Sequence, residues 1–282
     1  MLSAVLARLG RVRVTLAYGA ALAVVAAAML HLHPQAQRSV IQNTSTNLHN
    51  LAEGRLGTLI GSAFVNEAGP VYLWLPGLVA VLALGELLWQ SRRLALAFVV
   101  GHIGATLLVA AGIAAALAVG LVSTSVVDAA DVGMSYGAVA VLGTFTAAMP
   151  GHWRAAWAGG WLAVAVGSAA ISGGDFTTVG HAVALVIGIA VGSRFGVPQR
   201  WTLPRCLLLG VAAAFGYLMI AYSDPTVTTT VFLGLAGAAV SLAVSVIAGK
   251  IGQTNSSALA SIQSDSHVSG GLSSSSPGIS HS

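Results

Sequence analysis

A serine hydroxyl becomes a useful nucleophile only when a neighbouring base takes its proton, and at neutral pH an imidazole is the usual base. The sequence contains one serine and one histidine set for that partnership. Ser135 stands in Gly133-Met134-Ser135-Tyr136-Gly137, where the two glycines let neighbouring backbone approach the hydroxyl closely. If Ser135 opens a helix, the free N–H groups of its first turn lie where an oxyanion would form, with Gly133, Tyr136 and Gly137 shaping that space. His181 supplies the imidazole.

Helices must bring the two residues to one depth. The fourth long apolar run, residues 134–150, has 17 residues, about 25 Å at 1.5 Å per residue, which is too short to cross a hydrocarbon core of about 30 Å upright. Ser135 at its start therefore lies below the membrane surface. The sixth run, residues 178–192, carries His181 in its first turn at the same end, after one helix going in and one returning. Ala184, Gly188 and Gly192 follow at helical spacing and make a small-residue face, suited to close packing on the helix that bears Ser135.

These two runs belong to a series of eight: residues 14–32, 71–89, 94–120, 134–150, 155–171, 178–192, 206–222 and 226–249. The 282 residues are 56% hydrophobic and 7% charged, whereas soluble domains carry about 25% charged residues. A soluble enzyme is excluded, and an all-α polytopic membrane protein is expected. The net charge of +4 would suggest nucleic acid in a soluble chain. Here ten of the twelve Lys and Arg fall in alternate connections: Arg8, Arg11, Arg13, Arg92, Arg93, Arg154, Arg194, Arg200, Arg205 and Lys250, leaving Arg38 and Arg55 on the other side. Basic residues accumulate on the cytoplasmic side, so both termini are expected there, and orientation explains the charge without a nucleic-acid partner. Glu53, Glu67, Asp128, Asp131, Asp175 and Asp224 fall on the opposite, outer side. Residues 33–70 form the long outer loop, with an interfacial stretch at 51–65. Residues 1–252 read as one transmembrane domain, and 253–282, rich in Ser and Gly, as a disordered cytoplasmic tail. The lone Cys206 offers no disulfide, and the first run is long enough to remain as an anchor.

On these residues the chain resembles the rhomboid family of intramembrane serine proteases, whose hallmarks are Gly-x-Ser opening a short fourth helix and a His followed by small residues on the sixth. Gly133-x-Ser135 and His181 with Ala184, Gly188 and Gly192 match in order and in membrane side. Glu86, Arg92 and Arg93 match the acid and basic turn that the family often has at the inner end of the second helix, and Glu86 reads as the partner of one of those arginines. The resemblance implies a six-helix core with two further C-terminal transmembrane helices. It also implies peptide-bond cleavage inside the membrane by Ser135 and His181, substrates that are membrane proteins, and neither a metal nor a cofactor.

Three features depart from the family pattern. Tyr136 stands where glycine usually follows the serine. Residues 71–77, the start of the second helix, lack the His and Asn that the family uses to stabilise the oxyanion, and Asn66 is the nearest amide. His102 on the third helix is placed nearer the cytoplasmic half of its span and reads as a structural histidine. The alternative is therefore a catalytically inactive rhomboid-like pseudoprotease that binds membrane helices. A small-solute transporter is the more remote reading, because no span is interrupted by paired half-helices. Asp131 and Asp175 read as solvated loop acids within reach of His181. His31, His33, His49 and His152 are not spaced as a metal site. The Ala-, Gly- and Val-rich, lysine-poor composition suits a bacterial plasma membrane.

Overall fold

In hydrocarbon every backbone N–H and C=O needs a partner within the protein, so long apolar runs are driven into helices. The computed structural model describes residues 9–66, 71–196, 200–221 and 224–270, and among the described residues it holds helices and no strand. The chain is an all-α polytopic membrane protein. In order come α1 (Arg13–Leu30), three short helices α2 (Pro34–Thr44), α3 (Leu48–Ala52) and α4 (Thr58–Gly61), and the long α5 (Val71–Ala118). They are followed by α6 (Ser135–Ala148), α7 (Gly151–Ile171), α8 (Phe176–Gly192), α9 (Leu203–Ile220) and α10 (Asp224–Gly270).

The eight apolar runs correspond to α1, the two halves of α5, and α6 to α10. α10 continues to Gly270, so helix extends into the stretch that composition reads as tail. Residues 271–282, and Tyr222 at the end of the seventh run, lie outside the described residues. Large apolar side chains cover the outside, among them Val24, Leu73, Leu207 and Phe232, while Glu86, His102 and His181 are enclosed. That inversion of the soluble pattern fits a surface facing lipid.

Gln90, at φ 68°, breaks α5 into halves spanning 71–89 and 91–118. Leu94 returns toward Gly85, its Cδ1 lying 3.1 Å from where a Gly85 Cβ would stand. α1 is held on this hairpin by Glu86, whose carboxylate accepts from the Val14 N–H at 3.0 Å, the Thr15 N–H at 2.9 Å, the Thr15 hydroxyl at 2.7 Å and the Ser91 hydroxyl at 2.6 Å. The N-terminus of a helix presents unpaired N–H groups and the positive end of its dipole, which suits a buried anion. Glu86 therefore pairs with the start of α1 and not, as the sequence suggested, with Arg92 or Arg93. Arg93 donates to the Phe195 carbonyl at 2.6 Å and lies 5.7 Å from the Phe195 ring centre.

α6 stands in the middle of the bundle, buried from Tyr136 to Phe145. α9 runs antiparallel to both α6 and the first half of α5. Trp201 Nε1 donates to the Ala148 carbonyl at 3.0 Å, near the end of α6, and Gly216 abuts Leu142 further toward its start. Against α5, Arg205 Nη2 donates to the Leu87 carbonyl at 3.0 Å, and the Phe215 side chain fills the notch at Gly77. α10 packs on α7 through glycines on both helices: Gly159 and Gly160 face Gly237 and Gly234.

Candidate functional site

The segment before α6 is fixed by the short helices of the long loop. The Gly133 N–H donates to the Ser62 carbonyl at 2.8 Å, the Thr46 N–H donates to the Asp131 carbonyl at 3.0 Å, and the Asp131 N–H donates to the Ser45 hydroxyl at 2.7 Å. Gly133 has φ 127°, a conformation that a side chain would strain. Asn66 lies beside it, with Oδ1 3.7 Å from the position of a Cβ there. The chain then enters α6, in which Ser135 is the first residue and half-buried.

α8 begins under its own cap, for Asp175 accepts from the Thr177 and Thr178 N–H groups at 2.9 and 3.0 Å. Partial desolvation works to raise the Asp175 carboxyl, but these N–H groups and the Ser172 and Thr178 hydroxyls outweigh it and hold it below its ordinary value. Its small face is laid directly on α6. A Cβ at Gly188 would collide with the Ala140 backbone, one at Gly192 would come within 2.7 Å of the Thr144 Cα, and Ala184 is fully buried. Conversely, a Cβ on Gly143 would lie 2.6 Å from the Leu185 carbonyl oxygen. Such contact leaves almost no freedom between the two helices.

This interface decides which side chain meets His181. The face of α6 toward α8 carries Tyr136, Ala140, Gly143 and Thr144. Tyr136 lies over Gly180, its ring edge-on to His181 with centroids 5.5 Å apart, and its hydroxyl donates to the Phe176 carbonyl at 3.3 Å. Gly137 faces the Phe98 ring on the second half of α5. One residue before Tyr136, Ser135 points about 100° round the helix and shares a stripe with Leu142, seven residues on. Ser135 is thus not bonded to His181, and among the described residues neither ring nitrogen of the buried His181 has a hydrogen-bond partner.

His102 stands between the loop turn and the start of α6. Its Nε2 is 3.2 Å from the Ser62 hydroxyl, and its ring centre is 6.5 Å from that of Tyr136. The loop turn at Ser62–Phe64 is packed beside the start of α6, where the Ser62 carbonyl also holds the Gly133 N–H. Ser62 also accepts from the Thr46 hydroxyl at 2.9 Å. Nothing in the spacing of Thr46 and Ser62, in a mixed polar and apolar stretch, marks them as the supports of the Gly133 turn. Asp131 is half-buried in its connection, and desolvation raises its carboxyl to about 6 although the Tyr136 hydroxyl acts in the opposite direction. Among the described residues no group of three or more His, Cys, Asp or Glu side chains is placed to hold a metal ion.

No curated protein and no solved structure matches the chain. A family model described as rhomboid-like protein matches residues 10–195, from the turn before α1 to just past α8, leaving α9 and α10 beyond it. With 186 of 282 residues inside that match, the chain belongs to the rhomboid-like protein family.

Proposed function

We propose that this rhomboid-like protein is an intramembrane serine protease whose nucleophile is Ser135 and whose base is His181. The reading is carried by the imidazole of His181, enclosed at the start of α8 with neither nitrogen bonded among the described residues. Leaving a buried polar group unpaired costs about 1–3 kcal/mol, a cost expected where a residue is kept for chemistry and not for packing. Ser135 opens the helix on which α8 is laid, next to the ring that covers His181.

In the reaction the Ser135 oxygen attacks the scissile carbonyl carbon while His181 takes the hydroxyl proton. The tetrahedral oxyanion collapses with cleavage of the C–N bond, and the proton passes to the leaving amine. A water, deprotonated by His181, then hydrolyses the acyl-enzyme and restores both residues. First-turn N–H groups of α6 serve the oxyanion, with the Asn66 amide adjoining. In the resting arrangement Tyr136 occupies the α8-facing position, so bringing Ser135 to His181 requires the first turn of α6 to rotate about Gly133. Substrates are other membrane proteins, cut near the surface that carries the long loop.

A fluorophosphonate probe in detergent tests this reading. Label is expected on the wild type, none on Ser135→Ala, and little on His181→Ala. Equal labelling of wild type and Ser135→Ala removes Ser135 from the role. The second reading, a pseudoprotease that binds transmembrane helices without cutting them, is favoured by the Tyr136 ring, and not Ser135, standing against His181. An unlabelled wild type, even after long incubation, selects it.

A further inference from the structure

Between α1, the loop turn at Ser62–Phe64 and the second half of α5 lies a cavity of about 280 Å³ that the reading of Ser135 and His181 leaves unused. Its wall on α5 is made by Leu94, Ala95, Phe98, Val99, His102 and Ile103, pairs that recur every fourth residue and form one stripe along the helix. From Leu94 to Ile103 the rise is about 14 Å, so the cavity is a slot parallel to the spans and about as deep as one leaflet, half of a hydrocarbon core of about 30 Å. Tyr18 of α1 and Phe64 of the loop complete it, and Tyr18 packs edge-on to Phe64 and Phe98 with ring centroids 5.2 and 5.0 Å apart. The polar atoms of the wall are turned away: the Tyr18 hydroxyl donates to the Ala63 carbonyl at 2.6 Å, and His102 Nε2 lies 3.2 Å from the Ser62 hydroxyl. What remains is hydrocarbon and ring face. An apolar cavity of about 150 Å³ already stays dry and takes up a hydrocarbon ligand. Val99 and Ile60, 50% and 64% exposed, open this larger one to lipid.

Positive charge stands at the Leu94 end of the slot. Arg11 and Arg13 lie before and at the start of α1, and Arg92, three residues before Ala95, shares its face of α5. All three are exposed, and none is in an ion pair among the described residues. Glu86 at this end is taken up by Val14, Thr15 and Ser91. We propose that the slot binds one acyl chain of an anionic phospholipid, whose phosphate lies on Arg11, Arg13 and Arg92 and whose chain ends against the turn at Ser62–Phe64. Spread over its length, the volume admits one extended hydrocarbon chain and not a helix, which is about 10 Å across. The chain braces the turn whose Ser62 carbonyl holds the Gly133 N–H at 2.8 Å, and so supports the approach to α6. This lipid site stands whether or not Ser135 is a nucleophile.

The test uses the full chain in detergent with equimolar phosphatidylglycerol that carries a diazirine near the end of one acyl chain, the photo-cross-links being mapped by mass spectrometry. Cross-links are expected at Phe64, Val99 and Ile103 above the level at Leu207, which faces lipid on α9. Ala95→Phe fills the slot and Val99→Trp closes its mouth. Each should lower cross-linking at Phe64 and Ile103 about tenfold, which exclusion of a few buried methylenes suffices to produce. Cross-linking at Leu207 should not change, and thermal melting without lipid confirms that each variant is folded. Added phosphatidylglycerol should raise the melting temperature of the wild type and of neither filled variant. Arg13→Gln with Arg92→Gln should reduce slot cross-linking to the level given by phosphatidylcholine with the same chain. Slot cross-links no stronger than those at Leu207, or persisting in both filled variants, overturn the acyl-chain site. Equal cross-linking of the wild type by the two lipids overturns the arginines as its phosphate contact.

Discussion

Glu86 and Thr15 are joined twice through one carboxylate oxygen, which accepts the Thr15 N–H at 2.9 Å and the Thr15 hydroxyl at 2.7 Å. With the Val14 N–H on the other oxygen, this acid ties the start of α1 to the α5 hairpin beside its break at Gln90. Glu86→Ala takes the acceptor from two N–H groups and from the Thr15 and Ser91 hydroxyls where α1 meets α5, and is expected to cost about 3 kcal/mol. Glu86→Gln, which keeps one acceptor oxygen, should cost less. Unfolding by detergent titration orders the three proteins, and wild-type stability of Glu86→Ala would contradict the clamp.

Gly188 has no room for a side chain, because a Cβ would meet the Ala140 backbone and not a movable side chain. Gly188→Ala should therefore destabilise by about 3 kcal/mol or prevent folding. Val186→Ala, on the lipid side of the same helix, should be nearly neutral. Comparable melting temperatures for the two variants would show that α6 and α8 are not in backbone contact.

Burial raises the Asp131 carboxyl from 3.8 to about 6. The folded chain then holds this proton more tightly than the unfolded one, so the contribution of Asp131 to stability is greatest below pH 3.8 and falls as pH rises to about 6. Asp131→Asn should remove that decline and stabilise the protein at pH 7 by on the order of 2 kcal/mol. Melting temperatures across this range check it. A steeper fall with rising pH in the variant would reverse the sign.

The distribution of arginines makes a separate prediction about orientation. Reporter fusions after Arg13 and after Lys250 should both read as cytoplasmic. Opposite readings would mean that one of the eight runs does not cross.

Helices were legible because lipid imposes one rule on the whole chain: 7% charge and long Ala, Val, Leu and Gly runs leave no other secondary structure. The face formed by Ala184, Gly188 and Gly192 was legible for the same reason, since small residues at helical spacing have few other uses in a membrane. Partners across the bundle were not. Glu86 was expected beside Arg92 and Arg93 because they are neighbours in sequence, whereas its real partner is the end of a helix some seventy residues earlier. His102 was placed by counting along its own helix, which says nothing of the Ser62 hydroxyl and Tyr136 ring that it meets across the bundle. The site was read as a serine facing a histidine. Placing Tyr136, not Ser135, against His181 takes the rotation of α6, which is set by its contacts with α5, α8 and α9 together.

Gly159, Gly160 and Gly167 make α7 unusual, for the surface that they open is filled by α10, with Leu233 Cδ1 2.5 Å from the position of a Gly167 Cβ. On the ribosome α7 emerges well before α10 does. During that interval the glycine face has no partner from its own chain, and any small-residue helix in the bilayer can settle there. Completion of the bundle therefore waits for the last span to be made, and a chain halted after α9 should be the form that quality-control machinery, or a second copy, captures first.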